Sequence, residues 1–330
     1  MQIHFLRENE NIDDLSILYS VEKNKIMEAN KFRGDKLRDK QVIIPCDDFY
    51  YFKKYEESIE SILSKFDIAK EELYSLNKSP LCFKDGGIRL KLKQKKKNIK
   101  VYSLVDLTMG SNSFIEADLE NSYVSSFMGY NVAYDDNDDI EDFYLKKISE
   151  IENKEVSLII HNKVFYSVKT FMQYIDLKFD KKYYKEVNIY YDITKVDFDE
   201  LIANINHSYF KFNIVLDIYL LNKVLENEDI VKKINDNFNK LFILPTYISD
   251  KKSLSYDEYK KFIEKINVFK RDKIAVGLNL NDYDNINLIE LMKIINLIYN
   301  KDIPSLIIYS CSNRFFQISY ILNHFFIINS

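Results

Sequence analysis

Apolar positions in the first hundred residues fall at helical spacing and then recur. Ile12, Leu15 and Tyr19 lie on one side of a helix, with Asn11 or Asp13 placed to cap it. A second short helix is expected from about Lys23 to Ala29, ended by Asn30, a residue type that accepts the left-handed backbone of helix ends. His4-Phe5-Leu6 reads as an opening strand, and Val42-Ile43-Ile44 as a closing one with Pro45 at its edge. The series returns as Ile59, Ile62, Phe66, Ile68, Leu73 and Asn77, matching Ile12, Leu15, Tyr19, Val21, Ile26 and Asn30. Ile12 to Ile59 and Asn30 to Asn77 are both steps of 47. Matches at one offset, without a gap, mark a duplicated strand–helix–helix–strand unit.

From Val101 to Ser330 the pattern changes to short β-branched runs alternating with amphipathic helices. Strands are predicted at Val101–Val105, Tyr123–Met128, Val156–Ile160, Val187–Tyr191, Phe212–Asp217, Leu241–Pro245, Lys273–Leu278 and Phe325–Ile328, with Ile307-Ile308-Tyr309 as extra strand-like material. Helices are predicted at Asp197–Asn206, Tyr256–Asn267 and Asn287–Tyr299. This alternation predicts an α/β chain with a parallel sheet and helical crossovers. Its 230 residues approach the ~250 of a (β/α)8 barrel. The expected layout is therefore one unit at 1–46, a second at 47–93, a basic linker at 94–100 and a barrel at 101–330.

Composition narrows the function classes. A net charge of -4 offers no basic surface for nucleic acid. Cys46, Cys82 and Cys311 lack C-x-x-C spacing and fit reduced thiols better than a disulfide framework. The start of the chain, Met1 to Glu8, has no basic-then-apolar signal pattern, and no apolar run approaches the roughly 18 residues of a membrane helix. Synthesis in the cytoplasm without a signal peptide, and no membrane insertion, are the expectations. Asp135-Asp136-Asn137-Asp138-Asp139 invites a calcium reading, but the sixth and twelfth loop positions hold Ile140 and Lys146 instead of Gly and Glu. His4, His161, His207 and His324 show no ligand spacing, so neither metal nor cofactor is expected.

The run from His4 to Pro45 resembles the LysM family. Asn9-Glu10-Asn11-Ile12 stands where that family has a Gly-Asp-Thr-Leu-like turn, followed by Asn30 and by Gln41-Val42-Ile43-Ile44-Pro45. The second copy, Tyr51 to Lys93, carries Glu56-Glu57-Ser58-Ile59, Asn77 and Ile88-Arg89-Leu90-Lys91-Leu92. Both copies lack the turn glycine. The resemblance implies binding of a polymer of N-acetylglucosamine, peptidoglycan or a chitin-like glycan. Its groove would lie between Asn9, Glu10, Asn11 and Lys31, Phe32, Arg33 in the first copy. In the second it would lie between Glu56, Glu57 and Lys78, Ser79, Pro80.

The long domain resembles family 18 glycoside hydrolases, in the arrangement that accompanies LysM modules in spore glycosidases of endospore formers. Asn121–Phe127, Glu186-Val187-Asn188-Ile189-Tyr190-Tyr191-Asp192, Leu244-Pro245-Thr246-Tyr247 and Lys273–Leu278 carry the likeness. In that family a terminal Glu protonates the leaving oxygen while an Asp two residues earlier orients the substrate's acetamido group. Here those positions hold Asp192 and Tyr190, while Tyr247 matches the Tyr that holds the acetamido group. A shortened acid and a lost charge imply an inactive or feeble barrel. Trp, the usual sugar floor of this fold, is absent. The leading expectation is a non-enzymatic wall or spore-layer protein that binds glycan. Two alternatives stand beside it, an active glycosidase using Asp192 and a coat-assembly scaffold binding spore-layer proteins.

Overall fold

A computed structural model of the chain describes residues 1–30, 41–46, 48–53, 56–77, 87–106, 126–130, 155–161, 167–179, 185–193, 197–247, 253–280, 287–309 and 315–328. They form two compact units, one built from 1–97, 283–300 and 313–327, the other from 98–282, 301–312 and 328–330.

In the first unit each repeat closes as strand, two helices and strand. β1 (Gln2–Phe5) pairs antiparallel with β2 (Gln41–Ile44) around α1 (Ile12–Tyr19) and α2 (Lys23–Asn30). β3 (Asp48–Phe52) pairs with β4 (Gly87–Lys93) around α3 (Ile59–Phe66) and α4 (Lys70–Leu76). Asn11 caps α1 by accepting from the Asp13 and Asp14 N–H groups, and Asp14 returns the bond to the Asn11 N–H. Leu15, Tyr19, Ile26, Val42 and Ile44 form the first core, and Ile62, Leu73, Ile88 and Leu90 the second. The repeat extends to the ends of the first helices, where Ser20 and Asp67 take left-handed φ of 53° and 51°.

The repeated asparagine acts differently from expectation. Asn30 is the last residue of α2, is absent from the left-handed residues, and works through its side chain. Its amide donates to the Ile26 and Ile43 carbonyls and accepts from the Ile43 N–H, each at 2.8 Å. Asn77 repeats the arrangement with Leu73 and Arg89 at 2.7–2.9 Å. A buried amide that spans helix and strand satisfies three backbone groups at once, a job no apolar side chain can do.

Two later helices, α10 (Leu288–Asn300) and α11 (Phe315–Phe325), belong to the same unit. Gln317 donates to the Asn30 side-chain oxygen Oδ1 at 2.9 Å, and the Leu288 N–H donates to the Gln41 side-chain oxygen Oε1 at 2.6 Å. Of the stretch expected as a solvated linker, Gln94 is buried and Lys97 to Lys100 already belong to a strand. Lys97 donates to the Tyr299 carbonyl at 2.8 Å and lies 4.1 Å from the centre of the Tyr299 ring.

The second unit is a closed parallel barrel. Its strands are β5 (Lys97–Asp106), β6 (Ser126–Tyr130), β7 (Glu155–His161), β8 (Glu186–Tyr190), β9 (Lys211–Leu216), β10 (Leu241–Ile243), β11 (Ile274–Asn279) and β12 (Ser305–Tyr309). Each pairs in parallel with the next, and β12 closes on β5 from Ser305↔Lys100 to Tyr309↔Leu104. This corrects the eighth strand. The run Ser-Leu-Ile-Ile-Tyr is almost wholly buried, as a strand between two neighbours must be, whereas Phe326–Ile328 forms only the short β13 after α11. Five described α-helices of this unit lie between its strands: α5 (Val168–Lys178) after β7, α6 (Phe198–His207) after β8, α7 (Ile218–Leu225) and α8 (Glu228–Asn237) after β9, and α9 (Tyr256–Lys265) after β10. The acidic run 135–139 lies outside the described residues.

Strand alternation sorts the barrel interior into layers. At the strand starts, Lys240 pairs with Glu186 at 2.9 Å, and Asn213 bridges Glu186 and Asn188, which donates on to Ser157. Burial pushes the Glu186 carboxyl up, but Lys240 and Asn213 outweigh it and hold it below its ordinary range. Above lie Leu104, Met128, Ile159, Val215, Phe242, Ala275 and Ile307. Gly277 occupies the same inward row of β11. A Cβ there would meet Pro245, Leu244 and Tyr309 at 2.8–2.9 Å.

Two outcomes follow from this architecture. Gly277→Ala overfills the barrel and is expected to cost about 1–3 kcal/mol, read as a lower midpoint in urea unfolding. His324 is buried, and burial, seconded by the positive charges of the amino terminus and then of Lys96, pulls its imidazole from 6.5 down to about 2. Between those values the unfolded chain binds the extra proton, so stability is complete above pH 6.5 and falls as pH drops. Unfolding free energy measured at pH 5 is expected to lie about 2 kcal/mol below that at pH 7, at roughly 1.4 kcal/mol per pH unit. His324→Leu should remove most of that loss.

Candidate functional site

The barrel's parallel strands all present their C-terminal ends at one mouth, where inward side chains meet the segments that lead to the helices. His161 ends β7, Tyr190 ends β8, Asn279 ends β11 and Tyr309 ends β12. Asp217 follows β9 directly, Thr246 and Tyr247 follow β10, and Asp192 lies two residues past β8. Alternation aims Tyr190 inward and turns Tyr191 outward into the layer behind the sheet, where it is fully buried against Phe171.

Tyr190 is held on two sides. Its ring stacks on His161 with centroids 4.6 Å apart and an interplanar angle of 18°. Its hydroxyl donates to Asp217 Oδ2 at 2.6 Å. Asp217 is buried, caps α7, and accepts the Leu220 N–H on its other oxygen at 2.9 Å. Burial raises its carboxyl above the ordinary aspartate value. The bonds from Tyr190, Leu220 and Tyr219 pull it back, and the charge of Asp192 adds to the rise. A second knot joins Thr246 Oγ1 to the Tyr309 hydroxyl at 2.7 Å and to the Asn279 amide at 3.0 Å. Tyr247 stands 44% exposed at the rim, so its ring is presented to solvent where Thr246 is not.

Of the residues the sequence singled out here, Tyr190 and Asp192 lie on the β8 side and Tyr247 beyond β10, with β9 between. Asp217, His161, Thr246, Asn279 and Tyr309 were not singled out. Asp217 had a readable signal, since it closes an apolar strand just before a helix and so sits at a strand's C-terminal end.

In the repeats, the strand–helix loops also have defined geometry. Asn9 has φ 67°, a conformation asparagine tolerates better than most residues. Asn11 is the helix cap already described, and Asn9 and Glu56 are exposed. Glu10 and Glu57 instead turn their carboxylates toward His4 and Tyr51. Lys31, Phe32, Arg33, Lys78, Ser79 and Pro80, the other wall of each expected groove, lie outside the described residues.

No protein-family model matches the chain, and no curated protein matches it in sequence. Solved structures do share its fold over nearly the whole length. The spore cortex-lytic enzyme SleL of Bacillus megaterium superposes with a TM-score of 0.62 at 13% identity, covering 99% of this chain and 98% of that one. The spore cortex-lytic enzyme SleL of Bacillus cereus gives 0.63 at the same identity and coverage. The chain therefore has the fold of these proteins from end to end.

The mouth makes a direct prediction. In a carbon-13 titration Asp217 should ionise above its ordinary 3.8. Tyr190→Phe, which removes a donor to the charged form, should move it higher still. A midpoint at or below 3.8 in the unaltered chain would contradict the burial and bonding described.

Proposed function

We propose that this chain binds an N-acetylglucosamine polymer, the peptidoglycan of a spore cortex or cell wall. Binding uses two LysM-like modules at 1–46 and 47–93, and the family 18 glycosidase-like barrel that follows does not hydrolyse its ligand. One observation carries the second half of this reading. Where the resemblance calls for an orienting carboxylate, Tyr190 stands, stacked on His161 and donating its hydroxyl to Asp217. A phenol so engaged cannot supply the negative charge that balances an oxazolinium-like cation. Asp192 is one methylene shorter than the expected Glu, and a misplacement near 1 Å costs on the order of 100-fold in rate.

The first half rests on the duplicated strand–helix–helix–strand unit and on the end-to-end likeness to spore cortex-lytic enzymes. The loops at Asn9–Asn11 and Glu56–Glu57, with Lys31, Phe32, Arg33 and Lys78, Ser79, Pro80 opposite, would form the two sugar grooves. Two modules on one polymer add their affinities through effective concentration, provided the strand presents both sites. No helix among the described residues is long and apolar enough to cross a membrane.

The likeness to lytic enzymes also favours a second reading, an active glycosidase with Asp192 as the acid. Incubation of the full chain with purified, insoluble spore peptidoglycan separates the readings. Sedimentation of the chain with the polymer, without release of reducing ends even at high concentration, is the expected result. Release that disappears in Asp192→Asn would establish the enzyme instead. A chain that stays in the supernatant while capturing spore-layer proteins would make it a scaffold and remove the glycan reading.

A further inference from the structure

The 47-residue offset pairs residues beyond the apolar series: His4 with Tyr51, Glu10 with Glu57, Leu18 with Lys65 and Tyr19 with Phe66. In the structure both sets meet beneath the loop between first strand and first helix. In the first module His4 is buried, with Nε2 2.7 Å from Glu10 and Nδ1 2.7 Å from the Tyr19 hydroxyl. A carboxylate only accepts, so Nε2 carries the proton, and in the neutral ring Nδ1 accepts from Tyr19. The same Glu10 carboxylate accepts the Arg7 N–H at 3.0 Å, while the Glu10 N–H donates to the Arg7 carbonyl at 3.2 Å. The turn containing left-handed Asn9 is thus closed by both ends of one residue.

The second module makes the same tie with other chemistry. The Tyr51 hydroxyl donates to Glu57 at 2.7–2.8 Å. Lys65 donates to Tyr51 at 2.8 Å, lies 4.4 Å from the centre of its ring, and stands 3.8 Å from Glu57. Phe66, in the place of Tyr19, meets Tyr51 edge-on at 4.9 Å. The glutamate is kept while its side-chain partners have changed, and in both copies it points inward.

We propose that Glu10 and Glu57 are positioning residues, whose carboxylates anchor the strand–helix loop from within and hold its backbone and Asn9 or Glu56 toward the ligand. They do not touch the sugar themselves. The inference rests on the glycan-binding reading above for what the loop presents, and on the bonds just described for how it is held.

The test uses the full chain with Glu10→Ala, Glu57→Ala and the triple variant His4→Tyr/Leu18→Lys/Tyr19→Phe, which imports the second module's arrangement into the first. Hydrogen exchange of the backbone amides at 7–11 reads the loop, and sedimentation with insoluble peptidoglycan reads binding. Glu10→Ala is expected to speed loop exchange and to weaken sedimentation, each by about tenfold. The triple variant is expected to leave both near the unaltered chain. Unchanged loop exchange in Glu10→Ala overturns the proposal. So does lost binding with an unaltered loop, because the carboxylate would then be touching sugar, and so does a triple variant as impaired as Glu10→Ala. Should Glu10→Ala not fold, Glu57→Ala puts the same question to the amides around Glu56. If the unaltered chain ignores peptidoglycan, the function proposed above fails, while loop exchange still decides whether the carboxylates position the loop.

Discussion

Closing eight parallel strands into a ring leaves every second side chain of each strand only one place to go, and the rest of the barrel follows from that confinement. The interior must be filled to the density of a solid, since gaps forfeit dispersion contacts and overfilling strains rotamers. The strands meet this with a polar layer tied by Glu186 and Lys240 at one end, an aliphatic and aromatic middle, and a polar mouth at the other. Gly277 shows how tight the confinement is. Pro245, Leu244 and Tyr309 already occupy the space its side chain would need. Because β11 lends no side chain there, the Tyr309 hydroxyl can reach Thr246, and Thr246 in turn receives Asn279.

The same confinement fixes the chemistry of the mouth. A tyrosine at the end of β8 is too long to stop within its own strand's share of the mouth. Its hydroxyl extends to the neighbouring strand end and meets Asp217 at 2.6 Å, while its ring covers His161. Asp217 then has one oxygen committed to the phenol and the other to the N-terminus of α7. A buried carboxyl with both oxygens engaged is a structural joint between two strands and a helix. Among the described residues, the best-buried carboxyl of the mouth is thus spent on holding Tyr190.

How much of this the sequence disclosed depended on the range of the interaction. Helical periodicity and the 47-residue repeat lie within short windows, so the strand–helix–helix–strand order of both repeats was legible, and the starts of α6, α9 and α10 were legible to within a residue. Barrel closure is a long-range choice between Ser305–Tyr309 and Phe325–Ile328, both strand-like locally, and only pairing with β5 decides it. Asn30 was misjudged for a related reason. Asparagine at a helix end suggests a left-handed cap, whereas its bonds to Ile43 belong to a strand 13 residues on, invisible to any local rule. Asp192, Tyr190 and Tyr247 were placed at the mouth by likeness to a strand pattern, while Asp217 was passed over because its partner Tyr190 lies 27 residues earlier.

Glu10 and Glu57 show why a loop carboxylate cannot be assigned from loop position alone. An acidic residue before a helix is normally solvated or faces the positive helix end. Here burial acts to push Glu10 upward, and the Arg7 N–H and His4 outweigh it, leaving the carboxyl below its ordinary range. Holding a partly buried charge requires such partners, and an inward-facing donor near the end of the first strand provides one. His4 and Tyr51 both meet that requirement, although one is an imidazole and the other a phenol that needs Lys65 beside it. Two unlike donors arriving at one register position, each beneath a glutamate that has not changed, identify the carboxylate as the fixed element and its partners as the replaceable ones.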